Sequence, residues 1–215
     1  MVTTVKILYK RWRRSSFKLD DAVSIIIAWI SGKHPLYISN SIHKRIKGKI
    51  NTNSLALIGV CSNKIGLDRS SRGQFWVSKG ASVSLGNMVR VARGCKIFVE
   101  GKMAIGNNTY IQPNANIVAN KEVTIGSECA ISWNFQALDD DLHTLIVNGV
   151  EKDKVGNIHI GNHVWIGCNV TILKNTEIAD NCVIAAGSVV KGIFPPNCLI
   201  AGIPAKVVKE NIDWK

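Results

Sequence analysis

The amino-acid sequence predicts an all-β solenoid, a parallel β-helix whose short strands wind around one apolar axis. Three observations predict it. Aliphatic residues return at every sixth position, a period that belongs neither to an α-helix nor to a simple alternating strand. The hexads gather into a longer repeat of twenty residues. The composition is rich in Ile, Val, Asn and Gly, with only 7% aromatic residues, which suits short strands joined by turns.

The clearest run is Ile160, Ile166, Ile172, Ile178, Ile184 and Val190, all β-branched. Four positions after the first five stand Val164, Val170, Thr176, Cys182 and Ser188, all small or medium in size. Upstream, the sets Leu85/Val91/Ile97, Ile105/Ile111/Ile117 and Ile125/Ile131/Ala137 keep the step of six, with a step of eight between sets. Ile65, Ser71 and Val77 read as a degenerate first set. Each set is one three-sided coil with its aliphatic side chains on the axis. A single coil cannot bury its own interior, so stability must come from stacking. Gly106, Asn107, Gly126, Gly161 and Asn162 supply corners that visit left-handed backbone angles.

The periodicity divides the chain into three. Residues 1–57 read as a partly helical N-terminal region, 58–203 as the solenoid, and 204–215 as a C-terminal helix capping the apolar column. Pro195 and Pro196 interrupt the coil path shortly before it ends. The longest apolar run, Ala22 to Ile30, is too short to span a bilayer, which takes about 20 residues. Lys10, Arg11, Trp12, Arg13 and Arg14 precede it. The segment reads as a helix covering the solenoid end, with a resting place on an anionic membrane surface as the alternative.

The net charge of +12 favours acidic partners. Six cysteines form no C-x-x-C pair and no zinc spacing, and no cleavable leader is evident. Reduced cysteines in a cytoplasmic protein, with peripheral membrane contact left open, follow as the expectation. No basic patch interleaved with stacking aromatics runs along the coils, so nucleic acid is not an expected partner.

The phrases IGNHVWIGCNVTIL, AAGSVV and AGIPAKVVKE resemble the hexapeptide-repeat acyltransferase superfamily. The resemblance covers about residues 58 to 212 and is tightest from Asp139 onward. Within the superfamily the chain looks most like bacterial polysaccharide O-acetyltransferases, including those that modify sialic-acid capsules. The resemblance implies a left-handed β-helix, a homotrimer, acetyl-CoA in clefts between subunits, and a glycan acceptor that is acidic in some members. It implies no metal.

The period breaks once, between Leu138 and His159, and this gap holds Asp139, Asp140, Asp141 and His143. Transfer of an acetyl group from a thioester to a hydroxyl needs a base, an oxyanion donor and fixed alignment. His143 is the expected base, with Asp141 or Asp139 as the carboxylate that orients its ring; D-x-D-x-H is similar to the family's catalytic loop. Trp165 is expected outside the column, as a wall for the thioester or acceptor. Cys168 resembles the place whose backbone amide faces the thioester oxygen, and its thiol opens an acyl-cysteine alternative. Ala186, Gly187 and Ser188 resemble the bed of the pantetheine arm. Lys191, Lys206 and Lys209 resemble the basic positions near the cofactor phosphates. Gln112, Asn114 and Asn134 are candidates for the acceptor, or corner amides with a purely structural role.

Two other functions share these features. One is N-acetylation of a nucleotide-linked amino sugar, although an amine needs a base less than a hydroxyl does. The other is a non-catalytic hexapeptide-repeat protein, including a metal protein like γ-carbonic anhydrase. His143, His159 and His163 do not fall at the matching phases such a site needs.

Overall fold

The computed structural model describes residues 36–52, 54–60 and 71–215, and every regular element in it is a β-strand. The expectations placed on Ala22 to Ile30, Cys61 and Ile65 lie outside the described residues. The strands stack as coils of three, giving the solenoid three faces. The first face carries Leu36–Ile38, Ala56–Ile58, Val89–Val91, Tyr110–Ile111, Ala130–Ile131, Trp165–Ile166, Val183–Ile184 and Cys198–Gly202. The second and third faces join in one sheet because strand Thr171–Ile178 runs through the corner between them.

Pairing along each face is parallel and in register. On the first face Tyr110 pairs with Arg90 and with Ala130, twenty residues on either side. Past the excursion Trp165 pairs with Val183, only eighteen residues ahead. The two extra residues of the upstream coils lie at the corner between the second and third faces, as at Glu100–Gly101 and Asn120–Lys121. This places the step of eight in the hydrophobic period.

The phase set of aliphatic residues is the core. Ile111, Ile117, Ile131, Ile160, Ile166, Ile172, Ile178 and Ile184 are all essentially inaccessible to water. Val164, Val170, Thr176, Cys182 and Ser188, four positions on, are buried beside them. Burying each such aliphatic side chain stabilises the fold by about 1.5–3 kcal/mol. Val77 joins the core while Ser71 is only half-buried.

The corner between the third and first faces repeats without interruption. Asn108, Glu128, His163 and Asn181 adopt positive φ there. One coil's side chain accepts the backbone N–H of the coil before it. Asn107 Oδ1 takes Asn87 N–H at 2.8 Å, Ser127 Oγ takes Asn107 N–H at 3.0 Å, Asn162 Oδ1 takes Ser127 N–H at 2.8 Å, and Asp180 Oδ1 takes Asn162 N–H at 2.7 Å. Gly126 is required by this spacing: a Cβ there would stand 2.4 Å from the carbonyl oxygen of Gly161.

Two boundaries differ from expectation. Residues 36–52, placed with the partly helical N-terminal region, form strands Leu36–Ile38, Ile42–Ile46 and Lys49–Thr52, so coils begin before residue 58. The expected C-terminal helix is absent. Ala205–Glu210 is a strand pairing antiparallel with Cys198–Gly202. The physical reason is the open ladder: the last coil presents unpaired backbone groups, and a segment carrying Val207 and Val208 satisfies them by hairpin pairing. No helix among the described residues is long and apolar enough to cross a membrane.

Candidate active site

The break in the hydrophobic period is a loop from Asp139 to Asn157, between strands Gln136–Leu138 and Ile158–Ile160. It leaves the prism at the same second–third corner that carries the two extra residues in earlier coils. Its neck is a narrow antiparallel ribbon: Asp141 N–H donates to Lys154 C=O at 2.9 Å, and Gly156 N–H donates to Asp139 C=O at 2.8 Å. Farther out, Ile146–Val147 pairs with Val150–Glu151. Leu142, Leu145, Ile146, Val147 and Val150 are all exposed on it. Five aliphatic side chains in water on one excursion form an apolar surface that none of the described residues covers.

His143 stands on this loop, directly after Leu142 with its positive φ, and is solvent-exposed. No hydrogen bond joins its ring to any of the described residues. The three aspartates before it are engaged elsewhere. Asp139 is fully buried and accepts the backbone N–H groups of Asn120, Lys121 and Glu122 at 2.8, 2.7 and 2.9 Å, closing the corner of the preceding coil. Burial outweighs those three donors and holds its carboxyl above the ordinary range, and Asp140 adds to the rise. Asp140 accepts Leu142 N–H and Asn120 Nδ2, both at 2.7 Å. Burial disfavours its charge, but those two donors, with Lys154 and Lys174, hold its pKa below the ordinary value. Asp141 pairs with Lys174 Nζ at 2.7 Å.

Trp165 lies on the outer side of the first face and is 44% exposed. Trp214, near the C-terminus, comes within 6.2 Å of it, ring centroid to centroid. Trp214 stacks on His163 at 4.2 Å with an interplanar angle of 9° and donates its Nε1–H to His163 C=O at 2.9 Å. His163 Nδ1 is 3.1 Å from Asn181 Oδ1, and His159 Nδ1 is 2.6 Å from Thr124 Oγ1 on the third face. No group of three His, Cys, Asp or Glu side chains among the described residues is placed to hold a metal ion.

The expected cofactor residues follow the first–second corner. Cys168 is half-buried there, and its carbonyl accepts Gly187 N–H at 2.9 Å. Ala186 and Gly187 are exposed one coil on. Ser188 is buried, donating to Ala185 C=O at 2.8 Å and accepting Gly202 N–H at 3.2 Å, so its hydroxyl holds the coil together. Lys191, Lys206 and Lys209 are exposed near the end of the solenoid. Of the acceptor candidates, Asn114 and Asn134 are corner residues with φ of 64° and 60°, and Asn134 Nδ2 bonds Asn169 Oδ1 at 3.0 Å. Gln112 is half-buried beside them. The other cysteines described are buried; the Cys198 thiol is pushed up to about 12 by burial and by Cys182, whose sulfur lies 3.6 Å away.

The predicted residues therefore fall into two groups. Asp139, Asp141 and His143 belong to the second–third corner; Trp165, Cys168, Ala186 and Gly187 belong to the first face and the first–second corner. One chain does not bring them together. Sequence reasoning missed Trp214, Trp133 and Lys174. Trp133 is 42% exposed at the first–second corner, one coil before Cys168. The signal for Lys174 was present: a lysine two places after Ile172 falls on an inward position. Nothing in the repeat pointed to Trp214.

The geometry is that of a parallel three-sided solenoid of hexads with one long loop and an outward Trp165. The model of the bacterial transferase hexapeptide (six repeats) matches residues 157–192. An uncharacterized 24.8 kDa protein in the cps region of Klebsiella pneumoniae is 38% identical over 180 residues, 80% of this chain and 77% of that protein. A polysialic acid O-acetyltransferase of Neisseria meningitidis is 34% identical over 134 residues, 61% of this chain and 60% of the relative. The crystal structure of the polySia-specific acetyltransferase NeuO superposes with a TM-score of 0.55 at 23% identity, over 82% of this chain and 90% of that one. The chain belongs to the bacterial hexapeptide-repeat transferases, and it is an acetyltransferase.

Proposed function

We propose that the protein transfers an acetyl group from acetyl-CoA directly to a hydroxyl of a bacterial surface polysaccharide or its precursor, as a homotrimer of left-handed β-helices. The observation that carries this reading is the separation of the two groups of residues on different edges of one prism. A loop bearing His143 and five exposed aliphatic side chains leaves one edge. Trp165 and the Cys168 corner wait on another. A second copy supplies the apolar loop with a cover and the Trp with a base.

In this reading His143 takes the acceptor hydroxyl proton as the oxygen attacks the thioester carbonyl carbon. The backbone N–H near Cys168 receives the developing oxyanion. The C–S bond breaks, and the imidazolium returns its proton to the departing CoA thiolate. Trp165, stiffened by Trp214, walls the site and excludes water. Lys191, Lys206 and Lys209 favour the cofactor phosphates. Exposed Lys44, Arg45, Lys47 and Lys49 in the first coils favour an acidic acceptor. A CoA thioester as donor places the reaction in the cytoplasm.

The test is mass spectrometry of candidate glycans incubated with the enzyme and acetyl-CoA, compared with His143→Ala. The expected product gains one acetyl group that mild base removes, and His143→Ala lowers its rate by about 10²–10⁴-fold. An unchanged rate in His143→Ala refutes the base; a base-resistant product makes the acceptor an amine.

A further inference from the structure

The inward side of the second face is apolar until it reaches the loop. Val77, Val99 and Ala119 pair in register as successive rungs at the end of that face. The next two rungs follow the pairs Val118–Leu138 and Leu138–Leu173, and they are Asp139 and Lys174. Both are buried, Lys174 at 6% exposure. Two charged side chains replace aliphatic ones at the level where the chain departs from the prism. Burying an ammonium is costly unless it is paired and hydrogen-bonded.

Lys174 has such partners, and they lie at both ends of the loop neck. Its Nζ pairs with Asp141 Oδ2 at 2.7 Å on the outgoing strand. It also donates to the carbonyl oxygen of Asp153 on the returning strand. Asp141 is two residues from His143. The other contacts hold the outgoing strand to the preceding coil, through Asp139 and Asp140, or join the two neck strands to each other. Lys174, from the following coil, contacts both strands of the neck with one side chain.

We infer that Lys174 is a positioning residue for transfer: by clamping Asp141 and the Asp153 carbonyl it fixes the angle at which the loop presents His143 to the neighbouring subunit's cleft. This rests on the assignment of His143 as base. The depressed carboxyl of Asp140, to which Lys174 contributes, agrees with a cation held firmly at the neck. An exposed loop with a loose base would spread the imidazole over several ångströms, and misplacement by about 1 Å costs on the order of 100-fold in rate.

The experiment measures CoA thiol release by the full-length enzyme with acetyl-CoA and the glycan identified by the acetylation assay. Lys174→Met is expected to lower kcat about 100-fold while KM for acetyl-CoA stays within about twofold. Its pH–rate midpoint stays in place, because the base is intact and only its placement changes. Lys174→Arg, whose guanidinium reaches the same two oxygens, is expected to recover to within about tenfold of wild type. Asp141→Asn removes the carboxylate and leaves the Lys174 ammonium to the Asp153 carbonyl and an amide oxygen in place of the carboxylate. It lowers kcat with no shift of the pH midpoint, and Lys174→Met/Asp141→Asn is no slower than Lys174→Met. Amide hydrogen exchange rises in residues 140–156 and stays unchanged in the coils from Ile158 to Ile178.

Full kcat in Lys174→Met overturns the proposal. So does a loss that Lys174→Arg fails to recover with exchange rising throughout the coils, which marks a purely structural lysine. A shifted pH midpoint in Asp141→Asn alone also overturns it, and assigns Asp141 to the imidazole instead. If His143→Ala keeps its activity, the base assignment fails whatever Lys174 does. If His143→Ala is inactive and Lys174→Met is not, the positioning role alone fails.

Discussion

Two corners of the same prism solve the same problem in opposite ways. At the third–first corner every coil turns in a few residues, and uncharged or exposed side chains, Asn107, Ser127, Asn162 and Asp180, take the N–H of the coil before. At the second–third corner the chain leaves for the length of Asp139 to Asn157, and the backbone groups it abandons are served from inside by a buried carboxylate. A regular corner needs only turn chemistry. A corner that opens needs buried charge to hold the coils in place around the gap. Order is generic at one edge and specified by individual residues at the other.

The contrast can be broken or sharpened by substitution. The largest effect belongs to the shared column: Ile172→Ala, at a fully buried position, is expected to cost about 2–5 kcal/mol in urea unfolding. Asp139→Ala should come next. It strands three backbone donors at the open corner, for a loss of about 1–3 kcal/mol, and Asp139→Asn, which keeps an acceptor, loses less. At the closed corner Asn162→Ala removes one acceptor in a solvent-exposed ladder and should cost about 0.5–1 kcal/mol in the same measurement. If Asn162→Ala destabilises as much as Asp139→Ala, the two corners are alike and the distinction fails.

The prism was largely legible in the sequence because burial imposes the period directly: Ile160, Ile166, Ile172, Ile178 and Ile184 are all inaccessible to water. The step of eight was visible too, and the structure shows it as spare residues at one corner. The ends were less legible. Ala205–Glu210 has the short, mixed pattern that helix and strand share, and the open ladder of Cys198–Gly202 decided in favour of a strand. The site was legible by position and not by contact. Asp139 was marked as a partner for His143, yet its oxygens serve Asn120, Lys121 and Glu122, a coil away in space and about twenty residues away in sequence. Asn114 and Asn134 sit where their left-handed backbone places them. No periodicity tells an amide that turns a corner from one that meets a sugar. Trp214 reaches His163 by closing a long path through the C-terminal hairpin, and such contacts leave no trace in a local pattern.

The two spare residues at the second–third corner separate chain length from core geometry along that edge. A coil of twenty and a coil of eighteen stack with the same register. Evolution is thereby free to lengthen, shorten or replace the projecting arm without redesigning the barrel beneath it. One exterior segment can be exchanged there while the rungs of the core stay unaltered.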